Sequence, residues 1–165
     1  MMMKRASLLT PFFLSIFLLI AACSSTRFAE APATVDQEAL LAQVNELRAA
    51  GCTCGGQKMP SAPPLQWNAR LAEAAQAHSD HMDRWNRFNH KGLWGSQPGS
   101  RAQRAGYQWR TVGENIAKGQ RSVTEVVRSW RNSPGHCRNL MNAGFTEMGA
   151  ATSGPYWTQV LAAPR

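Results

Sequence analysis

The stretch FTEMGAATSGPYWTQVLA, Phe145 to Ala162, decides the fold class. Two runs rich in apolar, aromatic and β-branched residues, Phe145–Thr152 and Tyr156–Ala162, flank Ser153-Gly154. So short a connection joins antiparallel neighbours, because parallel strands need a long crossover. The chain therefore ends in a hairpin. The segments before it mix helical and extended patterns, which points to α+β rather than a doubly wound sheet.

Working back from the hairpin, Val123, Val126, Val127 and Trp130 share one helical face. Ser122 and Glu125 have capping-box spacing, and Pro134-Gly135 stops the helix, so His136 falls just past its end. Tyr107–Val112 reads as a strand, followed by Gly113-Glu114-Asn115 as a loop. Ser100 with Gln103 resembles a second capping box, for a short helix closed by Gly106. A longer helix begins after Asn68, and Leu71, Ala75, His78, Met82 and Trp85 form its apolar stripe. His78 reads as a hydrogen-bonded core histidine and His81 as a solvated neighbour, so neither is a first choice as a ligand. The segment with Gly55, Gly56, Pro60, Pro63 and Pro64 is too rich in Pro and Gly for a regular element. Before it, Leu40, Leu41, Val44 and Leu47 define a first helix from Asp36 to Ala50.

The N-terminus reads as an address. Lys4 and Arg5 precede an apolar run from Pro11 to Ala22, broken only by Ser15. This is short of the roughly 20 residues a membrane span needs and matches a signal peptide. Leu19-Ile20-Ala21-Ala22-Cys23 is similar to a bacterial lipobox, making Cys23 the lipidated first residue of the mature chain. The expected division is residues 1–22 as leader, 23–35 as a flexible tether and 36–165 as one folded domain. The protein is then a monomer of the cell envelope, held to the membrane by its lipid, on the periplasmic face or the outer membrane. A mature chain starting at Cys23 keeps 143 of 165 residues and a formal charge of +6 rather than +8. The basic residues are scattered arginines without a long run, and export argues against a nucleic-acid partner. Cys52, Cys54 and Cys137 remain. A bond between Cys52 and Cys54 is strained, so the expected disulfide joins one of them to Cys137. The bridge closes a loop of about 80 residues and contributes roughly 4 kcal/mol by the chain-entropy estimate. Zinc held by these sulfurs is the rival reading, and Cys-x-Cys spacing suits it poorly.

Five segments stand out in order: Phe88-Asn89-His90, Gly113-Glu114-Asn115-Ile116, Trp130–Leu140 (WRNSPGHCRNL), Phe145–Gly149 and Tyr156–Val160. Together they resemble the CAP superfamily of cysteine-rich secretory, antigen 5 and pathogenesis-related proteins, in its bacterial SCP-domain branch. The resemblance implies a three-layer α-β-α sandwich with a central antiparallel sheet and an open cleft holding two histidines and two acids, where some members bind zinc. Carried over, these are His90, His136 and Glu114. The second acid departs from the pattern, because Ser133 stands at its position. Glu147 is the typical acid of the bacterial branch, at another place in the chain. The block Thr53-Cys54-Gly55-Gly56 implies Cys54 as the partner of Cys137, in a bridge that pins the loop carrying His136.

On their own chemistry, two neutral imidazoles and a carboxylate can supply three zinc ligands and leave a position for water. No Gly-x-Ser-x-Gly elbow and no His-Glu-x-x-His helix is present. The leading expectation is a binding module whose cleft at His90, Glu114, His136 and Glu147 takes an envelope lipid, glycan or peptide. The alternatives are a metal-dependent hydrolase using zinc on His90 and His136, and an interaction protein docking through a basic face.

Overall fold

A computed structural model describes residues 35–165. The leader, Cys23 and all of the tether except Val35 lie outside the described residues. Val35 itself packs against the core.

Helix α1, Gln37–Ala50, begins where Asp36 accepts the Ala39 N–H at 2.9 Å and ends at Gly51. It buries Leu40 and Val44 completely. Its Arg48 is also fully buried, which the apolar pattern did not reveal. The guanidinium donates to the carbonyls of Pro63, Leu140, Asn142 and Phe145, tying α1 to the Pro63 loop and to the connection that follows Leu140. The next segment, expected to be irregular, contains a small hairpin of β1 (Cys52–Cys54) and β2 (Gln57–Met59). Gly55 and Gly56, both at positive φ, form its two-residue turn.

The main sheet has the order β3 (Gln66–Trp67), β5 (Glu147–Ser153), β6 (Tyr156–Pro164), β4 (Trp109–Lys118). Ser153 pairs with Tyr156 at the turn, as expected, and every pairing is antiparallel except that of the two-residue β3 with β5. Successive residues of a strand point to opposite faces. Ala151, Val160 and Ala162 accordingly pack against Leu71 and Ala75 of α2 (Ala69–Trp85) and Ala102 of α3 (Pro98–Arg104). Met148, Ala150, Trp157 and Leu161 face the other layer. That layer holds α1, α4 (Val123–Asn132) with Val126 and Trp130, and α5 (Pro134–Leu140) with Leu140. The result is the expected α-β-α sandwich. Gly149 sets the spacing of one layer: a Cβ there would lie 2.1 Å from the Ala72 backbone nitrogen, so only glycine lets α2 rest on β5.

Three boundaries differ from expectation, each for a local reason. Strand β4 does not stop at Val112 but continues through Gly113-Glu114-Asn115, because Glu114 and Asn115 pair with Val160 and Gln159 of β6. Helix α3 starts at Pro98, not after Ser100; Pro suits a first helical position. The Ser100 hydroxyl donates to the Gln97 carbonyl at 2.8 Å and accepts the Gln97 N–H at 3.1 Å, closing the helix start from inside. Finally, Pro134 interrupts α4 but opens α5, so His136 lies in the first turn of a helix rather than in a loop.

Candidate functional site

The site is built on β4, the edge strand of the sheet. Asn115, on the face toward α5, is fully buried and donates to the His136 carbonyl at 3.4 Å and to Gln159 Oε1 at 3.0 Å. Asn139 of α5 answers by donating to Asn115 Oδ1 at 2.9 Å and to the Glu114 carbonyl at 3.1 Å. These amides lock the start of α5 against β4 and so fix where His136 stands.

Glu114 points to the opposite face, toward α2 and α3, and only 1 % of its side chain is exposed. Both carboxylate oxygens are engaged. Oε2 accepts a 2.5 Å hydrogen bond from Arg101 Nη2 of α3, and Oε1 lies 2.8 Å from His90 Nδ1 and 3.7 Å from His78 Nε2. Arg101, itself buried, also donates to the carbonyls of Ser96 and His90. A buried ion pair is favoured only when further hydrogen bonds surround it, and here they also hold the His90 backbone. The His90 ring is thus oriented through Nδ1 while half of its side chain remains exposed. This is the arrangement in which a carboxylate sets the tautomer and direction of an imidazole whose other nitrogen works outward.

Burial pushes the His78 imidazole down to about 4, against a partial opposing pull from Glu114. His78 is therefore neutral near pH 7, and its ring stacks on His81 at 6.3 Å. His136 is also shifted down, first by burial and then by the charge of His90, so the two cleft histidines feel one another electrostatically around the edge of β4.

Of the three expected cleft residues, His90 and Glu114 are in direct contact, and His136 is linked to them only through the electrostatic effect of His90. Glu147 does not join them. It lies on β5, separated from β4 by β6, and accepts hydrogen bonds from the Tyr107 hydroxyl and from Asn68 Nδ2, the side chain that also caps α2. Burial and this carboxylate hold the Tyr107 phenol well above its usual range. Glu147 is a structural acceptor at the far side of the sheet. Two members of the cluster were not singled out by sequence. His78 was read as a hydrogen-bonded core histidine; it is buried, but neither ring nitrogen makes a hydrogen bond of normal geometry, and Nε2 abuts Glu114; Arg101 carried no signal among scattered arginines.

Beside the cluster lie two grooves of about 680 and 750 Å³ that share His81, Trp85, Gly92, Leu93 and Trp94. The larger also reaches His78 and Arg101, the back of the Glu114 cluster. Trp85 is 58 % and Trp94 92 % exposed, with Phe88 and Leu93 also open to solvent. Trp94 adopts φ 52°, a left-handed conformation that non-glycine residues rarely occupy. A large aromatic ring held outward by a strained backbone is a feature that tends to mark a binding surface rather than packing.

For a metal at the expected His90 and His136, Glu114 offers no third ligand. Glu114 is engaged by Arg101 and His90 and stands behind His90 rather than beside it as a third ligand. Among the described residues, the one group of three donors close enough to share an ion is Cys52, Cys54 and Cys137, whose sulfurs lie within 4.8 Å. Cys54 and Cys137 form a disulfide with Cα atoms 5.5 Å apart, leaving Cys52 as a single thiol. The bridge is the pairing that the family resemblance implied.

The family model of the cysteine-rich secretory protein family, CAP, matches residues 41–159. The Bacillus subtilis (strain 168) protein YkwD is 41 % identical over 98 residues, which cover 58 % of this chain and 38 % of YkwD. The chain thus spans well under half of that relative. An extracellular protein containing an SCP domain from Bacillus anthracis str. Ames superposes with a TM-score of 0.63 at 26 % identity, over 81 % of this chain and 45 % of that one. An outer surface protein of Borrelia burgdorferi shares the fold at a TM-score of 0.66 and 19 % identity, over 82 % of this chain and 100 % of its own. The protein belongs to the CAP family. No helix among the described residues is long and apolar enough to cross a membrane.

Proposed function

We propose that the protein is an extracytoplasmic binding module, tethered by lipid at Cys23, whose site combines the His90–Glu114 pair, with His136 around the edge of β4, and the adjoining aromatic grooves. Its ligand is an envelope lipid, glycan or peptide. The observation that carries this reading is the state of Glu114. The acid of the histidine cluster is buried, ion-paired to Arg101 and hydrogen-bonded to His90, so it orients an imidazole instead of serving as a free base. Exposed Trp85 and Trp94 beside it provide the flat apolar surface that a sugar ring or acyl chain needs. Similarity to extracellular and outer-surface proteins supports the location. The test is co-sedimentation of the domain from Ser24 onward with envelope vesicles and with cell-wall glycan. Trp94→Ala and His90→Ala should each weaken retention at least severalfold; equal retention of all three proteins refutes the reading.

A second reading, a metal-dependent hydrolase, keeps one specific support. Among the described residues the His136 side chain makes no hydrogen bond, and His90 presents Nε2 outward, so the pair could hold zinc while Glu114 orients His90. A bound zinc would supply a polarised water. Calorimetric titration with zinc, alongside His90→Ala/His136→Ala, decides it: no heat in the parent protein removes this reading.

A further inference from the structure

The hairpin β1–β2 holds a chemistry that the cleft does not use. Cys52 and Cys54 occupy alternate positions of one strand and so share a face, and that face is turned to Cys137 of α5. The Cys52 sulfur lies 3.5 Å from the Cys137 sulfur and 3.7 Å from that of Cys54. Cys54 and Cys137 are fully buried, whereas Cys52 is half-buried. A free thiol thus sits in van der Waals contact with both sulfurs of a buried disulfide, between that disulfide and solvent.

We propose that Cys52, Cys54 and Cys137 form an internal thiol–disulfide exchange centre in which Cys137 alternates between two partners. After a side-chain rotation that brings its sulfur in line with the Cys54–Cys137 bond, the Cys52 thiolate attacks Cys137 Sγ. A Cys52–Cys137 bond forms as the Cys54–Cys137 bond breaks, and the electron pair leaves on Cys54 Sγ, which takes up the proton that Cys52 lost. One disulfide and one thiol exist before and after, so no oxidant or reductant is needed. Attack on Cys54 instead would join residues separated only by Thr53, a strained bond, so the exchange runs through Cys137. The resting isomer is Cys54–Cys137, the bond the structure holds, and expelling a thiolate into the fully buried Cys54 site makes the exchange slow. In the alternative isomer one sulfur of the bond is half-exposed. Cys52 is therefore the path by which a small thiol reaches a disulfide otherwise closed to it.

The experiment is disulfide mapping of the full chain after equilibration at pH 8 and acid quench. Cys52 and Cys54 fall in one tryptic peptide, so fragment ions must separate them at Thr53. The expected result is a minor Cys52–Cys137 species beside the major one, approached faster at higher pH because the thiolate is the attacking form. Cys52→Ala should slow opening of the remaining disulfide by glutathione roughly tenfold, because the entry thiol is gone. Cys54→Ser should oxidise to a Cys52–Cys137 bond, with its circular dichroism confirming the fold. Only Cys54–Cys137 in the parent chain, together with unchanged glutathione kinetics in Cys52→Ala, would overturn the proposal whatever the fate of Cys54→Ser.

Discussion

Arg48 and Arg101 are both buried, and they do opposite things with the same side chain. Arg48 meets four backbone carbonyls and, among the described residues, no carboxylate, and burial alone lowers its pKa. Arg101 meets two carbonyls and Glu114, whose second oxygen reaches a half-exposed histidine. Both arrangements satisfy a buried guanidinium, which would otherwise be prohibitively costly. The difference lies in what stands at the far end of the network. Arg48 ends in loop backbone and fixes a fold. Arg101 ends, through Glu114, in a ring that faces solvent and fixes a site. Burial of charge by itself does not mark function here; its connection to the surface does.

The largest expected effect tests the first half of that contrast. Arg48→Met leaves the carbonyls of Pro63, Leu140, Asn142 and Phe145 without this donor in the interior. At roughly 1–3 kcal/mol for each buried acceptor left unpaired, the loss is about 5 kcal/mol, enough to unfold a marginal domain. Thermal melting measures it; a melting temperature within a few degrees of the parent would show that water replaces the guanidinium at no great cost. Glu114→Gln should cost somewhat less, roughly 3 kcal/mol, since it leaves Arg101 as an uncompensated buried charge. The decisive comparison is Glu114→Gln with Arg101→Met together. If the two residues are one unit, the double variant is more stable than the sum of the single losses, and strict additivity contradicts the pairing.

The pH dependence separates the two arginine networks next. His78 belongs to the Glu114 side, and its folded pKa of about 4 lies below the ordinary 6.5. As pH falls the unfolded chain takes the proton first. The stability associated with a neutral His78 is therefore intact above about 6.5 and is lost progressively as pH drops toward about 4, by about 3 kcal/mol in all. Urea unfolding at pH 7 and pH 5 should show this slope, and His78→Leu should flatten it. An equal slope in the variant would assign the acid sensitivity elsewhere.

What could be seen in the sequence follows the same division. The terminal hairpin, the three long helices and the caps at Asn68 and Ser122 rest on local rules, and the structure keeps them. Glu114 and Asn115 were visible as residues but not as strand. Polar side chains inside an edge strand break the alternation by which strands are recognised, and they do so because each is satisfied from a different layer. Arg48 and Arg101 were invisible because their partners lie far off in the chain or are backbone carbonyls, which leave no pattern. Glu147 was misplaced for the complementary reason. The family resemblance placed its acid in the cleft, but Tyr107 and Asn68 claim it. A family motif can carry residue types across; which of them meet depends on the packing of one particular sheet.

The smallest expected change in stability carries the most weight for function. His90→Gln keeps an amide that can donate to Glu114, and half of the His90 side chain is already exposed. The stability change should stay below about 1 kcal/mol, as for most surface positions. If the Arg101–Glu114 network exists to aim this ring, ligand retention should nevertheless fall severalfold while melting barely moves. Loss of stability with retention unchanged would invert the contrast. The Glu114 network would then be a second structural knot like that of Arg48, and the binding surface would reduce to the tryptophan grooves alone.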